Sequence, residues 1–489
     1  MSRREATFLI SIFLGLLALP AVSGLFGLAV GSTERRRAAA WPEALTADFF
    51  PRLEAALADR LGWRGAAIEL DARLDLELFR DSPRPSRVWR GEGDWLFLTG
   101  FWEHPCLHQN ADADQIVRTL AGLSRIVEAS GRRFRLLVAP DKFAIEGERL
   151  GPRLRDLPAC GPAKRRAVEA ALREGAVAGA VDLWTPLRQL RGREELYYRA
   201  DIHWRPLGAS IMVRQLVESL RPGLWRDDDV VRGLVSGRQA GTLAYLGIPA
   251  FEPAEGVTVR RADTRVLELV EERWGEEAWQ PREPRLELDG ERLATGTIER
   301  LGSPRIRWRT NGPVGERVTM IHDSFAWDAL PMLAEFFADA RLLTWAQAVT
   351  ELGARDIAWS ETFIVQSVEY ELYSRLAQLH GTVLRALDPQ GGRPLELEER
   401  PSRAGRPTWR TRMPATKGPR TLVLELETSG PARLRIATWQ GRQALPKRDI
   451  SLEAGPPQLV AIELEPDVDR LMTWSGSEIE VRRARLYSF

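Results

Sequence analysis

Three side-chain types that together can carry out acyl transfer stand in two separate segments, Asp201-Ile202-His203-Trp204 and Asp323-Ser324-Phe325. A serine hydroxyl is a weak nucleophile at neutral pH. It needs a base within hydrogen-bond reach, and that base needs an acceptor to orient it. Asp201 and His203 are two positions apart. In a loop or short extended turn, that spacing lets the carboxylate hold the imidazole Nδ1–H while Nε2 faces a serine. Ser324 follows the apolar run Val318-Thr-Met-Ile321 and precedes a helical pattern with Leu330, Leu333 and Phe337 on one face. A serine at such a junction gains backbone N–H groups and the positive end of a helix, both suited to a developing oxyanion. Pro331 is expected to kink that helix or to open a second segment. The plain alternative is a surface Asp–His pair and a serine that merely caps a helix, a position serine favours.

The elements that must position these groups are readable from periodicity. Residues 40–80 carry leucines at helical spacing, and Gly91-Glu-Gly-Asp-Trp-Leu-Phe-Leu98 reads as a turn feeding a strand. Helices are expected over 113–129, 164–174 and 206–220. Strands are expected over 134–139, 180–184, 340–345 and 364–369. The alternation predicts an α/β domain, a parallel sheet with helices on both faces, whose ligand sites lie beyond the carboxyl ends of the strands. Pro140-Asp-Lys142, Asp201-Ile-His203 and Asp323-Ser324 all fall at such ends. Residues 225–310 are less regular and read as an insertion in a domain spanning 40–385. Past Leu387 the composition turns rich in Pro, Gly and Arg. Period-two runs then follow at 421–427, 432–438, 458–464 and 479–487. These predict an antiparallel β-sandwich over 390–489. Trp409, Trp439 and Trp474 there could form a sugar platform, with at least one of them in the core.

The chain has 489 residues, too many for one ordinary domain. A net charge of +1 gives no sign of a nucleic-acid binder, and no cofactor- or metal-binding pattern stands out. Residues 6–30 carry no charge, follow Arg3 and Arg4, and are long enough to span a bilayer. The apolar run continues past the small residues Ala21 and Ser23, which favours an uncleaved anchor over a cleaved signal peptide. The expectation is a single pass through the inner membrane with the bulk of the chain outside the cytoplasm. Cys106 and Cys160 are the only cysteines. They are either two buried thiols or one disulfide, and an extracytoplasmic location favours the disulfide.

Four stretches together resemble the SGNH-hydrolase-like family of polysaccharide O-acetyltransferases, the AlgJ/AlgX-like family. They are Arg90-Gly-Glu-Gly-Asp-Trp-Leu-Phe97, Val138-Ala-Pro-Asp-Lys142, Asp201-Ile-His-Trp-Arg-Pro-Leu-Gly-Ala209, and Asp323-Ser-Phe325 with Leu330-Pro331 and Phe336-Phe337 after it. The order, Asp-x-His before the serine, is the family's. The resemblance implies an SGNH-like fold with Ser324 as nucleophile, His203 as general base and acid, and Asp201 as its orienting partner. It also implies an acetyl donor delivered across the membrane by a multi-spanning acyltransferase. His322 departs from the family pattern, standing where glycine is usual. A backbone conformation reserved for glycine would there be costly for histidine. Val368-Glu369-Tyr370 also departs from it, and Glu369 is given no role.

The resulting expectation is an O-acetyltransferase acting on an exported exopolysaccharide through an acetyl-serine intermediate, with the sandwich holding the polymer. A carbohydrate acetylesterase with the same triad and a non-catalytic polysaccharide-binding scaffold are the alternatives. Three further residues are candidate substrate contacts. Lys142 either binds an anionic sugar or supports its loop. Asn311 either donates to the oxyanion or forms a turn. Trp204 touches substrate or, the better reading, packs behind His203.

Overall fold

The computed structural model describes residues 6–15, 40–42, 44–46, 48–58, 64–107, 113–157, 159–274, 279–282, 305–387, 393–401, 407–414, 420–445, 447–452, 455–465, 467–475 and 479–488. The chain opens with helix α1 (residues 6–15), which leaves Phe8, Ile10, Phe13 and Leu14 exposed. The remainder of the expected anchor, residues 16–30, lies outside the described residues. Among the described residues no helix is long and apolar enough to cross a membrane. Helices α2 (Phe49–Ala58) and α3 (Arg64–Leu74) follow, the second running into a π turn at Asp75–Phe79.

The hairpin β1 (Val88–Arg90) and β2 (Leu96–Leu98) turns through Gly93 and Asp94, both with φ near +60°. Glycine meets that requirement at no steric cost, and aspartate tolerates it. Next come α4 (Thr99–Leu107), α5 (Ala113–Ala129), β3 (Arg133–Ala139), α6 (Lys142–Glu146), α7 (Cys160–Arg173), β4 (Ala180–Val181), α8 (Trp184–Leu190) and α9 (Pro206–Leu220). The middle of the chain forms β5 (Val230–Gln239), α10 (Gly241–Ala244), β6 (Phe251–Val259), β7 (Val266–Trp274), β8 (Trp279–Arg282) and β9 (Arg305–Thr310). Then β10 (Val314–His322) leads through a 3-10 turn, Ser324–Ala329, to α11 (Leu330–Ala334), β11 (Phe337–Thr344), α12 (Trp345–Ala348), α13 (Glu351–Trp359), β12 (Thr362–Val368) and α14 (Leu372–Leu387).

The central sheet has the order β4-β3-β12-β10-β11-β9-β7-β8. The first five strands are mutually parallel, and the last three extend the sheet antiparallel. All seven residues of β12 are buried, as a central strand covered on both faces requires. One face packs α5, α7 and α14 around Leu123, Val127, Leu172 and Leu379. The other packs α9, through Met212 and Leu216, and the segment after Ser324. Residues 225–310, expected as an insertion, join this fold in two ways. The part described supplies three strands to the main sheet, and β5 and β6 form a hairpin packed on α9.

The join between the parallel and antiparallel parts is pinned by Asp356 of α13. Its buried carboxylate accepts from Arg305 on β9 at 2.7 and 2.5 Å and from Arg341 on β11 at 2.7 Å. Asp356→Ala leaves two cations without their buried counter-charge and is expected to cost about 3–5 kcal/mol. Chemical denaturation of the variant measures this.

Beyond the α/β domain lie β13 (Arg393–Pro394), β14 (Glu398–Pro401), β15 (Pro407–Arg412), β16 (Arg420–Thr428), β17 (Ala432–Gln440), β18 (Gln443–Ala444), β19 (Arg448–Leu452), β20 (Gly455–Leu464), β21 (Arg470–Ser475) and β22 (Ile479–Ser488). They form two antiparallel sheets, β13-β22-β16-β20 and β14-β15-β21-β17-β18, the latter with β19 paired to β17. Leu422, Leu424, Leu434, Ile436 and Val460 fill the space between them. The expected sandwich is present. Its four-stranded sheet packs on α5 and α14 through Val423, Ala461 and Tyr487. At that boundary His380 Nδ1 lies 3.1 Å from Glu463 Oε1, both buried. Trp409 is a core residue, whereas Trp439 and Trp474 are half-buried.

Candidate active site

The carboxyl ends of β3, β12 and β10 converge, and the loop before α9 lies against them. Ser324 is exposed at the start of the 3-10 turn after β10, while Asp201 and His203 are buried. His203 Nε2 lies 2.8 Å from Ser324 Oγ, and His203 Nδ1 lies 2.5 Å from Asp201 Oδ1. The fold thus places a hydroxyl, an imidazole and an orienting carboxylate in one hydrogen-bonded row.

Each member is held from several directions. Asp201 Oδ1 also accepts the His203 amide at 3.0 Å, and Oδ2 accepts the Gly241 amide of α10 at 2.9 Å. Just before it, the amides of Arg199 and Ala200 donate to Glu252 of β6 at 2.6 and 2.7 Å. The irregular middle of the chain therefore braces the aspartate loop. Gly241 and Glu252 carry no sequence signal for this role, because each acts from a distant hairpin through backbone amides. The His203 ring rests on Phe325, with centroids 4.8 Å apart.

Asp323 fixes the nucleophile's turn. Its Oδ1 accepts the Phe325 amide at 2.9 Å and Gln366 Nε2 at 3.0 Å, and Oδ2 accepts the Val368 amide. Gln366 Oε1 takes the Asp323 amide at 2.9 Å. Burial raises the Asp323 carboxyl to about 7, with Glu371 adding to the rise against these hydrogen bonds. Asp323, not Ser324, is thus the cap, which frees the serine hydroxyl for His203. The Phe325 and Ala326 amides are already engaged by Asp323, and the turn is a short 3-10 segment. The expected donation from a helix N-terminus is corrected accordingly. Gln366 did have a sequence signal: a polar residue inside a buried strand requires a partner. Pro331 opens α11, as its position in the sequence suggested.

The three candidate substrate contacts each have partners within the protein. Lys142 is buried, and its Nζ donates to the carbonyls of Leu96 at 2.7 Å, Arg199 at 2.7 Å and Asp201 at 3.0 Å. With three N–H bonds already made, the ammonium has none left for a sugar. Trp204 is fully buried and its indole N–H donates to the Phe325 carbonyl at 2.8 Å, so it packs behind the histidine. Asn311 lies beyond β9, where β10 begins, at the end of that strand opposite Ser324. Its side chain closes a turn with Arg265 and Asp263 at 2.6 and 2.7 Å, so it is not an oxyanion donor.

His322 ends β10 without a positive φ, so no glycine-only conformation is imposed there. Its ring is buried edge-on to Trp327 at 5.1 Å, and Nδ1 lies 3.0 Å from the Asp323 carbonyl oxygen. Burial lowers its pKa to about 4, which keeps it a neutral packing group. Glu369 is buried and raised to about 8 by burial and by Asp141, against the pull of Arg165. Cys106 of α4 and Cys160 of α7 are joined in a disulfide. Among the described residues no cluster of His, Cys, Asp and Glu could hold a metal ion.

Electrostatics favour a neutral base beside a charged acceptor. The His203 pKa is lowered by burial first and then by Arg238, against the pull of Asp201. The Asp201 carboxyl is held well below the ordinary range: burial opposes this, but His203 and Arg238 outweigh it. A depressed imidazole is already unprotonated, and able to take the serine proton, below its usual titration range. The acid limb of kcat/KM for ester turnover is therefore expected below about pH 6.5, the ordinary imidazole value. A pH–rate profile with an activated acetyl ester measures it.

Residues 88–248 match the family described as SGNH hydrolase-like domain, acetyltransferase AlgX. That stretch is thus similar to an AlgX-type SGNH hydrolase-like domain. The matched stretch contains Lys142, Asp201 and His203, and the fold brings Ser324 to them from beyond it. The chain is 26% identical over 220 residues to the probable alginate O-acetylase AlgJ of Pseudomonas syringae pv. tomato, covering 44% of this chain and 52% of that protein. It is 31% identical over 151 residues to the probable alginate O-acetylase AlgJ of Pseudomonas aeruginosa, covering 31% of this chain and 37% of that protein. The chain therefore spans about half, or less, of these relatives' length. Among solved structures it is similar to Pseudomonas aeruginosa AlgX, with a TM-score of 0.42 and 14% identity over 86% of this chain and 99% of that one.

Proposed function

We propose that the protein is an O-acetyltransferase that passes acetyl groups through Ser324 to hydroxyls of an exported polysaccharide. The observation that carries this reading is the His203 Nε2–Ser324 Oγ distance of 2.8 Å, with Asp201 behind the imidazole at 2.5 Å. Ser324 Oγ attacks the donor's acetyl carbonyl as its proton moves to His203 Nε2. His203 then protonates the departing donor oxygen, leaving acetyl-Ser324. In the second half a sugar hydroxyl attacks that ester, gives its proton to His203, and Ser324 Oγ recovers a proton as it departs. Asp201 stays ionised throughout and steadies the imidazolium. The donor is an acetyl carrier supplied by a multi-spanning membrane acyltransferase.

The acceptor is an anionic chain held partly by the sandwich. Cross-strand partners share a face of a sheet, and register places Arg410 with Met472, Arg412 and Trp439 with Arg470, and Arg435 with Trp474. These side chains point away from the core, and the four arginines are exposed. Guanidinium groups suit carboxylates, and half-buried indoles suit the apolar faces of sugar rings.

The N-terminal segment anchors the protein in the inner membrane, with the catalytic domain outside the cytoplasm. Support comes from the exposed apolar residues of α1 and from the Cys106–Cys160 bridge, a bond suited to an oxidising compartment. The exposure of Ser324 also lets water compete as acceptor, which would make the protein an esterase. Product analysis separates the two. Incubation with an activated acetyl ester and a polyuronate is expected to yield acetylated glycan, and free acetate alone would assign the esterase.

A further inference from the structure

We infer that Lys142 is a positioning residue for the Asp201–His203 pair: its ammonium gathers three backbone carbonyls and so sets the aim of the Asp201 carboxylate. This rests on the proposed acyl transfer only for its kinetic readout. Lysine is among the residues least often buried, and a buried cation persists only when its donors are all satisfied. Here Nζ holds Leu96 O, Arg199 O and Asp201 O within 3.0 Å. It lies 4.9 Å from the centre of the Trp95 ring and 5.0 Å from that of Phe97, so aromatic faces stabilise the charge where carbonyls do not.

The three carbonyls belong to two segments. Leu96 lies in the β1–β2 hairpin, and Arg199 and Asp201 lie in the loop before α9. The Leu96 amide also donates to Arg199 O at 2.8 Å, so the hairpin and the loop share a seam that Lys142 closes. Lys142 itself opens α6, whose start is fixed by the Asp141 cap and by Tyr197 Oη donating to Pro140 O at 2.6 Å. The ammonium thus carries the rigidity of the β3 end to the peptide of Asp201. A displacement of about 1 Å at a catalytic group costs about a hundredfold in rate.

Burial brings the Lys142 pKa down to about 7, with Glu252, Asp201 and Glu146 favouring the charged form and Arg205 opposing it. Above that value one N–H is lost and one carbonyl is left without its donor. The sign of the stability effect is opposite. Between the folded value and the ordinary lysine value the unfolded chain binds more protons, so this group makes the fold more stable as pH rises.

The test compares wild type with Lys142→Met, which keeps the stem and removes the donors. Two readouts are taken: turnover of an activated acetyl ester, and the downfield proton resonance of the His203 Nδ1–H···Asp201 bond, assigned by its loss in Asp201→Asn. The expected result is a kcat lower by about a hundredfold with KM little changed, and a weakened or lost resonance in a protein that still melts cooperatively. An unchanged resonance in folded Lys142→Met overturns the inference even where no turnover is detectable, and so separates its failure from failure of the proposed function. Should the variant not fold, wild type carries the test. Turnover and resonance should both fall as pH rises through about 7 while the melting temperature does not. Flat profiles on the alkaline side overturn it.

Discussion

Replacing Ser324 with alanine is expected to lower turnover of an activated acetyl ester by at least about a thousandfold. The removed oxygen is the atom His203 addresses at 2.8 Å. Because Ser324 is exposed and its turn is held by Asp323, Gln366 and Val368, the substitution should leave stability within about 0.5 kcal/mol of wild type. Steady-state kinetics and a melting curve on the same preparation check both halves. Normal turnover in Ser324→Ala would remove the serine from the mechanism.

The second large effect is that of Asp201→Asn, expected to reduce kcat by about three to four orders of magnitude. The carboxylate accepts three hydrogen bonds, from His203 Nδ1, the His203 amide and the Gly241 amide. An asparagine cannot accept at every one of these sites, because one of its two termini donates. If its amide nitrogen faces Nδ1, the imidazole must carry its proton on Nε2, and the nitrogen facing Ser324 Oγ is no longer a base. The loss should lie in kcat, since Asp201 is buried and has no reach to substrate. A matching rise in KM alone would assign Asp201 to binding instead.

How much of this was readable beforehand depended on whether a role leaves a local pattern. Helices at 113–129 and 206–220 coincide with α5, which buries one stripe of a regular period, and with α9, which opens on Pro206 and is buried on most sides. Strands β3, β12 and β16 were likewise visible as apolar or alternating runs. The three residues of the proposed triad stand out in the sequence because Asp-x-His followed by Trp, then a distant Asp-Ser, are the motifs on which the family resemblance rests. Strand β9 was not legible, since Arg305-Ile-Arg-Trp-Arg-Thr310 places a cation at every second position, and the buried Arg305 depends on a tertiary partner, Asp356. Lys142 left two readings open for a related reason. A lysine reads as a surface group until three carbonyls and two aromatic rings are found around it. At His322 the family's glycine raised the question of a special backbone, with plain packing the better reading, and the residue sits in ordinary extended conformation at a strand end.

The most direct test is to trap the intermediate. Purified protein is exposed briefly to an activated acetyl ester, quenched in acid, digested and analysed by peptide mass spectrometry, and a parallel sample is chased with a polyuronate. The expected result is acetyl on the peptide containing Ser324, absent from Ser324→Ala, that disappears during the chase as acetyl appears on the glycan. Acetyl transfer to glycan with no acetyl on Ser324, or equal transfer by Ser324→Ala, would contradict the proposed mechanism.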